Sequence, residues 1–171
     1  VNNAGMVIEK KTVEMTDDEW EGILSTNLTS MFRCCRAVAP SMIARGRGKI
    51  VNIGGTSGLR GYRYRTAYSA SKWAVRGVTR TVALDVGEYN INVNTVCPGI
   101  VETERMTKLC AEKARKRNWS FEQVYQEYVD DMALQRVTVP QDVANAVLFM
   151  VSEESRQLTG KEIAVDGGWD V

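Results

Sequence analysis

The sequence contains no histidine, and this absence excludes several kinds of active site. Ser-His and Cys-His nucleophile pairs cannot form, and the commonest protein ligand of zinc is missing. None of the four cysteines has the spacing of a zinc-binding pair, so we expect no metal site and reduced, mostly buried thiols. Acid–base chemistry in this chain must therefore come from tyrosine, lysine, aspartate or glutamate.

Long apolar runs and a charge excess are also missing. No apolar run approaches the length that spans a bilayer, and we expect no signal peptide. The net charge is only +1, from 22 basic and 21 acidic residues, whereas nucleic-acid and membrane partners usually require a basic excess. These features predict a cytoplasmic protein that acts on a small molecule, with no nucleic-acid or membrane partner.

Periodic apolar residues divide the chain into alternating helices and strands. Thr16 and Glu19 have the spacing of a capping box, which predicts a long helix with Asn27 on its apolar face and a kink or restart at Pro40. Further helices are predicted over 68–86 and 140–151, and short strands over 49–53, 91–96 and 162–165. This alternation predicts a doubly wound α/β fold whose parallel sheet is covered on both faces.

Two segments of the chain do not follow this alternation. Val1 to Gly5 is typical of the end of an apolar strand running into a turn, so we expect the chain to begin in mid-fold. The charged segment 103–137 predicts two short amphipathic helices on a mobile excursion. This excursion is a candidate substrate lid. Its aromatic residues would supply apolar contacts to the substrate or belong to the core: Trp119, Phe121 and Tyr125.

The most informative motif is Tyr68-Ser69-Ala70-Ser71-Lys72, at the start of a predicted helix. A tyrosine and a lysine four residues apart lie on one helix face. A phenol is a poor base at neutral pH, and a neighbouring ammonium favours its ionised form. An isolated pair with this spacing is more often a surface tyrosine and lysine, so the motif alone decides nothing.

Four other motifs accompany this pair, in the following order: Asn2-Asn3-Ala4-Gly5, Asn27, Val96-Cys97-Pro98-Gly99-Ile100-Val101-Glu102-Thr103, and Thr159-Gly160 followed by Val165-Asp166-Gly167-Gly168. In this order and spacing, the set resembles the short-chain dehydrogenase/reductase family along all 171 residues. The resemblance implies an oxidoreductase that transfers a hydride between NAD or NADP and an alcohol or carbonyl substrate. Residues 1–171 would then be the C-terminal part of one Rossmann-like domain.

The resemblance also implies roles for single residues. Tyr68 would be the general acid and base, Lys72 would tune it and bind the nicotinamide ribose, and Asn27 would bend its helix and hold a water in a proton relay. Asn27 also fits a purely structural role at a helix kink. Tyr68 and Lys72 would border the cofactor together with residues of two turns, which are also plausible as structural turns: Asn3, Ala4, Gly5, Pro98, Gly99, Val101 and Thr103.

Two departures from the family pattern limit these expectations. The glycine-rich phosphate-binding turn and the residue that reads the adenosine ribose belong to the first βαβ units, which are absent here, so NAD and NADP remain open. The family's catalytic serine stands thirteen residues before the tyrosine, where this chain has Gly55. Thr56 and Ser57 carry the nearest hydroxyls. We favour Ser57 as the replacement, although a loop-capping role fits it as well.

Two further expectations concern the surroundings of the site. Arg60, Arg63 and Arg65 lie in the loop before Tyr68, so they would border an entrance for an anionic or polar oxygenated substrate. Charge clusters of this kind more commonly face water. The family resemblance implies that the long helices pair with a second subunit in a homodimer or homotetramer. The rival to an enzyme is a non-catalytic dinucleotide-binding sensor or scaffold, which Gly55 supports and an intact Tyr68 opposes.

Overall fold

Three parallel strands form the sheet in the computed structural model, which describes residues 1–169. They are β1 (Gly48–Ile53), β2 (Ile91–Pro98) and β3 (Glu162–Val165), and they lie side by side in that order. Asn2 adds a parallel bridge to Asn52 on the free edge of β1, with two backbone hydrogen bonds of 2.8 and 2.9 Å. The predicted parallel sheet is therefore confirmed, and the predicted strand over 91–96 continues to Pro98.

The helices lie at the predicted places in the chain. They are α1 (Asp17–Leu24), α2 (Ser30–Arg45), α3 (Thr66–Val86), α4 (Glu104–Arg117), α5 (Phe121–Asp130) and α6 (Pro140–Val151). The predicted capping box starts α1, since the Thr16 hydroxyl accepts from the Glu19 amide and the Glu19 carboxylate accepts from the Thr16 amide.

The first long helix is interrupted at a different point from the one we predicted. A π-helical turn at Ser25–Thr29 separates α1 from α2, whereas α2 continues without a break through Pro40. The prediction of a restart at Pro40 is wrong. Proline removes one helical hydrogen bond, but Met42 and Ile43 beyond it still pack against the core, and this packing holds the last turns in place.

Apolar residues of the strands pack against helices on both faces of the sheet. Ile50 and Val93 belong to a cluster with residues of α2 and α3, whereas Val51 and Val96 pack with Met150 of α6. Neighbouring residues of a strand face opposite sides, so this division is the one that a sheet buried on both faces requires. The doubly wound fold class is confirmed.

The segment 103–137 contains a third apolar cluster of its own. Helices α4 and α5 lie against each other, and the buried residues between and after them are Met106, Cys110, Ala114, Val124, Tyr128, Met132 and Val137. The two amphipathic helices predicted here are therefore present. Tyr125 packs against this cluster, while Trp119 and Phe121 lie at its exposed edge.

Candidate active site

Tyr68 and Lys72 lie in the first two turns of α3, at the carboxyl end of β1. Tyr68 is half-buried, whereas the Lys72 side chain is buried and its residue is only 4% exposed. The Lys72 ammonium lies 5.7 Å from the centre of the Tyr68 ring and donates to the carbonyl of Ile53 at 2.9 Å. The structure therefore brings the predicted pair together through the helical spacing of four residues.

Burial has a strong effect on the Lys72 ammonium. It lowers the pKa of Lys72 to about 8, because the charged form loses its hydration inside the protein. The neighbouring Cys97 thiol opposes this shift, and the Arg105 guanidinium adds to it by charge repulsion. No carboxylate among residues 1–169 pairs with this ammonium. Lys72 is therefore a buried cation whose pKa lies well below that of an ordinary lysine.

Asn27 lies in the π-helical turn between α1 and α2 and is 2% exposed. Its Oδ1 accepts from the Met6 amide at 2.7 Å, and its Nδ2 donates to the Met6 carbonyl at 2.9 Å and to the Ser71 hydroxyl at 3.0 Å. Ser71 precedes Lys72 on α3, so this amide joins three separate segments. These bonds explain how a buried asparagine is tolerated in an interrupted helix.

The turn formed by Asn3, Ala4 and Gly5 is exposed and follows the Asn2 bridge to β1. A Cβ atom placed on Gly5 would lie 3.5 Å from Asn27 Oδ1 and 3.7 Å from Lys72 Nζ. Gly5 therefore borders both polar groups and leaves the space beside them open. Asn3 and Ala4 make no side-chain hydrogen bond to another of residues 1–169.

The second predicted turn follows β2. Gly99 donates its amide to the Val165 carbonyl at 3.0 Å, and a Cβ on it would approach Asp166 to within 2.6 Å, so only glycine fits. Pro98 precedes it as the last residue of β2. Val101 forms a parallel bridge with Thr138, and the Thr103 hydroxyl donates to the Val101 carbonyl at 3.2 Å. Thr103 is exposed and immediately precedes α4.

Gly55 has a backbone conformation that serine rarely adopts, with φ 151° and ψ 159°. A Cβ atom on Gly55 would lie 3.8 Å from the Tyr68 hydroxyl and 3.8 Å from the Pro98 carbonyl. The departure from the family's serine is therefore a change of backbone path as well as the loss of a side chain. The position of Gly55 nevertheless faces the Tyr68 hydroxyl.

The two replacement candidates follow Gly55 in a short 3-10 turn at Thr56–Gly58. Thr56 and Ser57 are 5% and 3% exposed, and neither hydroxyl bonds to another of the residues that the structure describes. The turn is fixed on α3, because Gly58 packs against the Lys72 backbone and its carbonyl accepts from Arg76 at 2.7 Å. Their hydroxyls are thus close to the Tyr68 helix and available for another partner.

The basic loop before Tyr68 is largely engaged within the protein. Arg65 forms an ion pair with Glu9 at 2.7 Å, and the Arg60 guanidinium stacks on Tyr62 and Trp169. Arg63 is exposed and does not approach the Tyr68 ring. The cation that does approach this ring, apart from Lys72, is Arg105 of α4, at 5.9 Å from the ring centre. Sequence reasoning missed Arg105, and its position two residues after Thr103 was the available signal.

The residues around Lys72 fit the nicotinamide half of a dinucleotide cofactor. An ammonium has three N–H donors, and Lys72 uses one of them on the Ile53 carbonyl. A buried ammonium without an anionic partner has donors to offer to ribose hydroxyls, and Gly5 leaves open space beside it. The chain contains no glycine-rich turn for the pyrophosphate. The residues present therefore fit the nicotinamide half of the cofactor, and they provide no glycine-rich turn for its pyrophosphate.

Metal and disulfide chemistry find no support in the described part of the chain. No group of three or more potential ligands is gathered among residues 1–169. All four cysteines are free, with Cys34 exposed and the other three buried, as predicted. None of the helices over the same residues combines the length and hydropathy that crossing a membrane requires.

Comparisons with known proteins agree with this fold. Residues 1–170 match a family model described as Enoyl-(Acyl carrier protein) reductase. The chain is 35% identical over 170 residues to a D-beta-hydroxybutyrate dehydrogenase of Rhizobium meliloti, covering 99% of this chain and 66% of the relative. It is 36% identical over 168 residues to a 3-oxoacyl-acyl-carrier-protein reductase of Chlamydia muridarum, covering 98% and 63%.

Solved structures of other dehydrogenases share the fold of this chain. A sorbitol-6-phosphate 2-dehydrogenase from Erwinia amylovora superposes with a TM-score of 0.93 at 32% identity, over 99% of this chain and 67% of its own. A 4-hydroxyisoleucine dehydrogenase complexed with NADH superposes with a TM-score of 0.88 at 31% identity, over 98% and 66%.

The chain belongs to the short-chain dehydrogenase/reductase family, whose members are oxidoreductases that bind NAD or NADP. It spans 63–66% of the length of the curated relatives described above.

Proposed function

We propose that the full-length protein transfers a hydride between NAD or NADP and an alcohol or carbonyl substrate, with Tyr68 as the general acid and base. The observation that carries this proposal is the buried Lys72 ammonium, 5.7 Å from the Tyr68 ring and without a carboxylate partner. The relatives are named as enzymes acting on hydroxybutyrate, 3-oxoacyl groups and sorbitol 6-phosphate. A hydroxyl or ketone carbon is the feature that these names share.

In the reduction, a bound nicotinamide would supply the hydride that the carbonyl carbon receives. Tyr68 donates its hydroxyl proton to the carbonyl oxygen, and in the oxidation it takes that proton back. The Lys72 ammonium stabilises the phenolate that Tyr68 becomes after donation, since opposite charges attract strongly in a buried site. Lys72 would also hold the nicotinamide ribose through the N–H donors that are not used on the Ile53 carbonyl.

The Asn27 amide restricts how a proton relay can be built. Both Nδ2 protons are used on Met6 and Ser71, and Oδ1 already accepts from the Met6 amide. A relay water at Asn27 must therefore bind an acceptor, either the second lone pair of Oδ1 or the main-chain carbonyl. The Gly5 turn lies beside Oδ1 and Lys72 Nζ, which is the place where such a water would join the two groups.

Ser57 takes the part of the missing catalytic serine in this proposal. It lies two residues after Gly55, is buried, and bonds to none of residues 1–169 through its hydroxyl. The extended glycine conformation at Gly55 gives the chain a path that a serine would not follow. Ser57 would donate to the substrate oxygen beside Tyr68, and Thr56 is the alternative donor.

The remaining site residues complete the proposal. Asn3, Ala4 and Gly5 would border the adenosine half of the cofactor, while Pro98, Gly99, Val101 and Thr103 would lie against the nicotinamide. Segment 103–137 would cover the substrate as a lid that keeps its own apolar core. Phe32 and Val38 on α2 and Trp73 and Leu84 on α3 are exposed apolar residues, which supports a homodimer or homotetramer formed through these helices.

A non-catalytic dinucleotide-binding sensor is the second candidate, and Gly55 is the observation that favours it. The two candidates are separated by incubating the full-length protein with NADH or NADPH and a panel of ketones, aldehydes, 3-oxo acids and an enoyl thioester. We expect cofactor oxidation with at least one carbonyl compound, and loss of that oxidation in Tyr68→Phe. Tight cofactor binding without turnover of any compound would support the sensor and contradict the enzyme.

A further inference from the structure

Arg105 is a second cation at the Tyr68 ring, and it comes from a different element than Lys72. It is in the first turn of α4, two residues after the predicted cofactor residue Thr103. Its guanidinium carbon lies 5.9 Å from the centre of the Tyr68 ring, and Lys72 Nζ lies 5.7 Å from the same point. Two positive charges therefore approach the same tyrosine ring.

Other arginines close to this region already have acidic partners. Arg65 pairs with Glu9, and Arg76 and Arg80 share Glu162. Arg105 is exposed and has no ion-pair partner among residues 1–169. Its charge also acts on the buried Lys72 ammonium, lowering the pKa of that group. An anion between the two cations would relieve this repulsion, because it would attract both of them.

Part of such an anion-bearing molecule has room beside the Tyr68 hydroxyl, next to Gly55. Gly55 has no side chain, and the position of its absent Cβ lies only 3.8 Å from the Tyr68 hydroxyl. A carbonyl carbon can therefore approach the hydroxyl from the Gly55 side. A carboxylate attached to the same molecule could then reach Arg105 of α4, whose guanidinium approaches the same ring.

We propose that Arg105 is a substrate-binding residue that selects carbonyl or alcohol substrates bearing a carboxylate, and that it holds this carboxylate through its guanidinium. The planar fork of arginine matches the two oxygens of a carboxylate, and such pairs are stronger than neutral hydrogen bonds. The inference rests on the proposed oxidoreductase function and names its substrate class. The pyrophosphate of the cofactor carries similar anionic oxygens and is the competing source of the bound charge.

The test uses the full-length protein and two matched substrates, a 3-oxo acid and its methyl ester. Arg105→Met removes the charge and keeps much of the side-chain length, Arg105→Lys keeps the charge without the fork, and Lys108→Met on the same helix is the control. We expect Arg105→Met to lower kcat/KM for the acid by about 10- to 100-fold and to leave the ester nearly unchanged. Arg105→Lys should restore part of the loss, and Lys108→Met should cause none.

Cofactor dissociation constants and melting temperatures of all variants separate the alternatives. An equal loss for acid and ester in correctly folded Arg105→Met would overturn carboxylate recognition. If Arg105→Met lowers cofactor affinity as much as it lowers kcat/KM, Arg105 binds the pyrophosphate of the cofactor, and carboxylate recognition would be overturned as well. If the wild type uses acid and ester equally well, the Arg105 inference fails while the proposed function stands. If the wild type reduces neither the acid nor any other carbonyl compound, the proposed function itself fails.

Discussion

The two sides of Tyr68 differ in how completely their polar groups are paired. On the side of Lys72 and Asn27, hydrogen bonds join Asn27 to Met6 and Ser71, and a separate one joins Lys72 to the Ile53 carbonyl. On the side of Gly55, the Thr56 and Ser57 hydroxyls and the Arg105 guanidinium have no hydrogen-bond or ion-pair partner within residues 1–169.

This difference fits two tasks that the site would have, which are proton transfer and substrate recognition. Groups that hold a proton relay must keep one geometry, and buried hydrogen bonds with several partners provide that rigidity. Groups that recognise a substrate must leave donors and space for it. In the proposed enzyme, the paired side would therefore carry the proton transfer, and the unpaired side would determine which substrate binds.

Replacing Tyr68 with Phe tests the group on which both sides converge, and it has the largest expected effect. The ring stays and the proton donor is removed, so we expect turnover to fall by about 10²- to 10⁴-fold with little change in cofactor affinity. Steady-state kinetics and cofactor titration measure the two quantities. Retained turnover in Tyr68→Phe would contradict the assigned role.

Replacing Ser57 with Ala tests the unpaired side. If its hydroxyl donates to the substrate oxygen, turnover should fall by about 10²- to 10³-fold, as is typical for the loss of one such donor. Thr56→Val is the matched variant for the neighbouring hydroxyl, and we expect a smaller loss from it.

Gly55→Ser is the complementary change. We expect it to add no activity and to destabilise the fold by about 1–3 kcal/mol, since φ 151° disfavours a side chain. A fast enzyme in which neither Ser57→Ala nor Thr56→Val matters would mean that a backbone amide or a water supplies the donor. If the wild type has only a feeble activity and Gly55→Ser raises it, the active site of the wild type is degraded.

The buried Lys72 predicts a pH dependence on the paired side. The pKa of Lys72 is about 8 in the folded protein, whereas an ordinary lysine, as in the unfolded chain, has a pKa of 10.5. Between these pH values, Lys72 is therefore protonated more often in the unfolded chain than in the folded protein. The free energy of unfolding should therefore rise with pH through that window, by at most about 3 kcal/mol from this group, while below pH 8 the full cost of burying the charge is present.

Denaturant titrations of the cofactor-free protein at several pH values measure this effect as a difference between the wild type and Lys72→Met. The difference removes the contributions of other titrating groups, such as the buried cysteines. We expect the free energy of unfolding of the wild type to rise relative to that of Lys72→Met as the pH rises above 8. Lys108→Met is the control for an exposed lysine, and a pH-independent difference for Lys72→Met would contradict the burial of a charged Lys72.

The sequence predicted the paired side of the site better than the unpaired side. Tyr68 and Lys72 are four residues apart on a strongly periodic helix, so their proximity follows from helical geometry. The bounds of α6 and β3 were also predicted, because Pro140 starts the helix and Glu162–Val165 is a short apolar run between turns.

Contacts between distant segments could not be predicted in the same way. The Met6 amide, Asn27 and Ser71 are separated by many residues, and no local pattern indicates that one asparagine joins them. Nor does any pattern show that the side chain of Arg105 turns toward Tyr68 while Arg65 is paired with Glu9. The backbone conformation at Gly55 likewise depends on the packing of the turn at Thr56–Gly58 against α3.

The transfer of a labelled hydride tests the central claim most directly. The full-length protein is supplied with reduced nicotinamide cofactor that carries deuterium at its transferable position, together with a carbonyl substrate, and the alcohol product is analysed for the label. We expect deuterium on the former carbonyl carbon of the alcohol formed by the wild type, and a far slower formation of labelled alcohol by Tyr68→Phe at equal cofactor occupancy. An unlabelled product from the wild type, or labelled alcohol formed by Tyr68→Phe at the wild-type rate, would contradict the proposed mechanism.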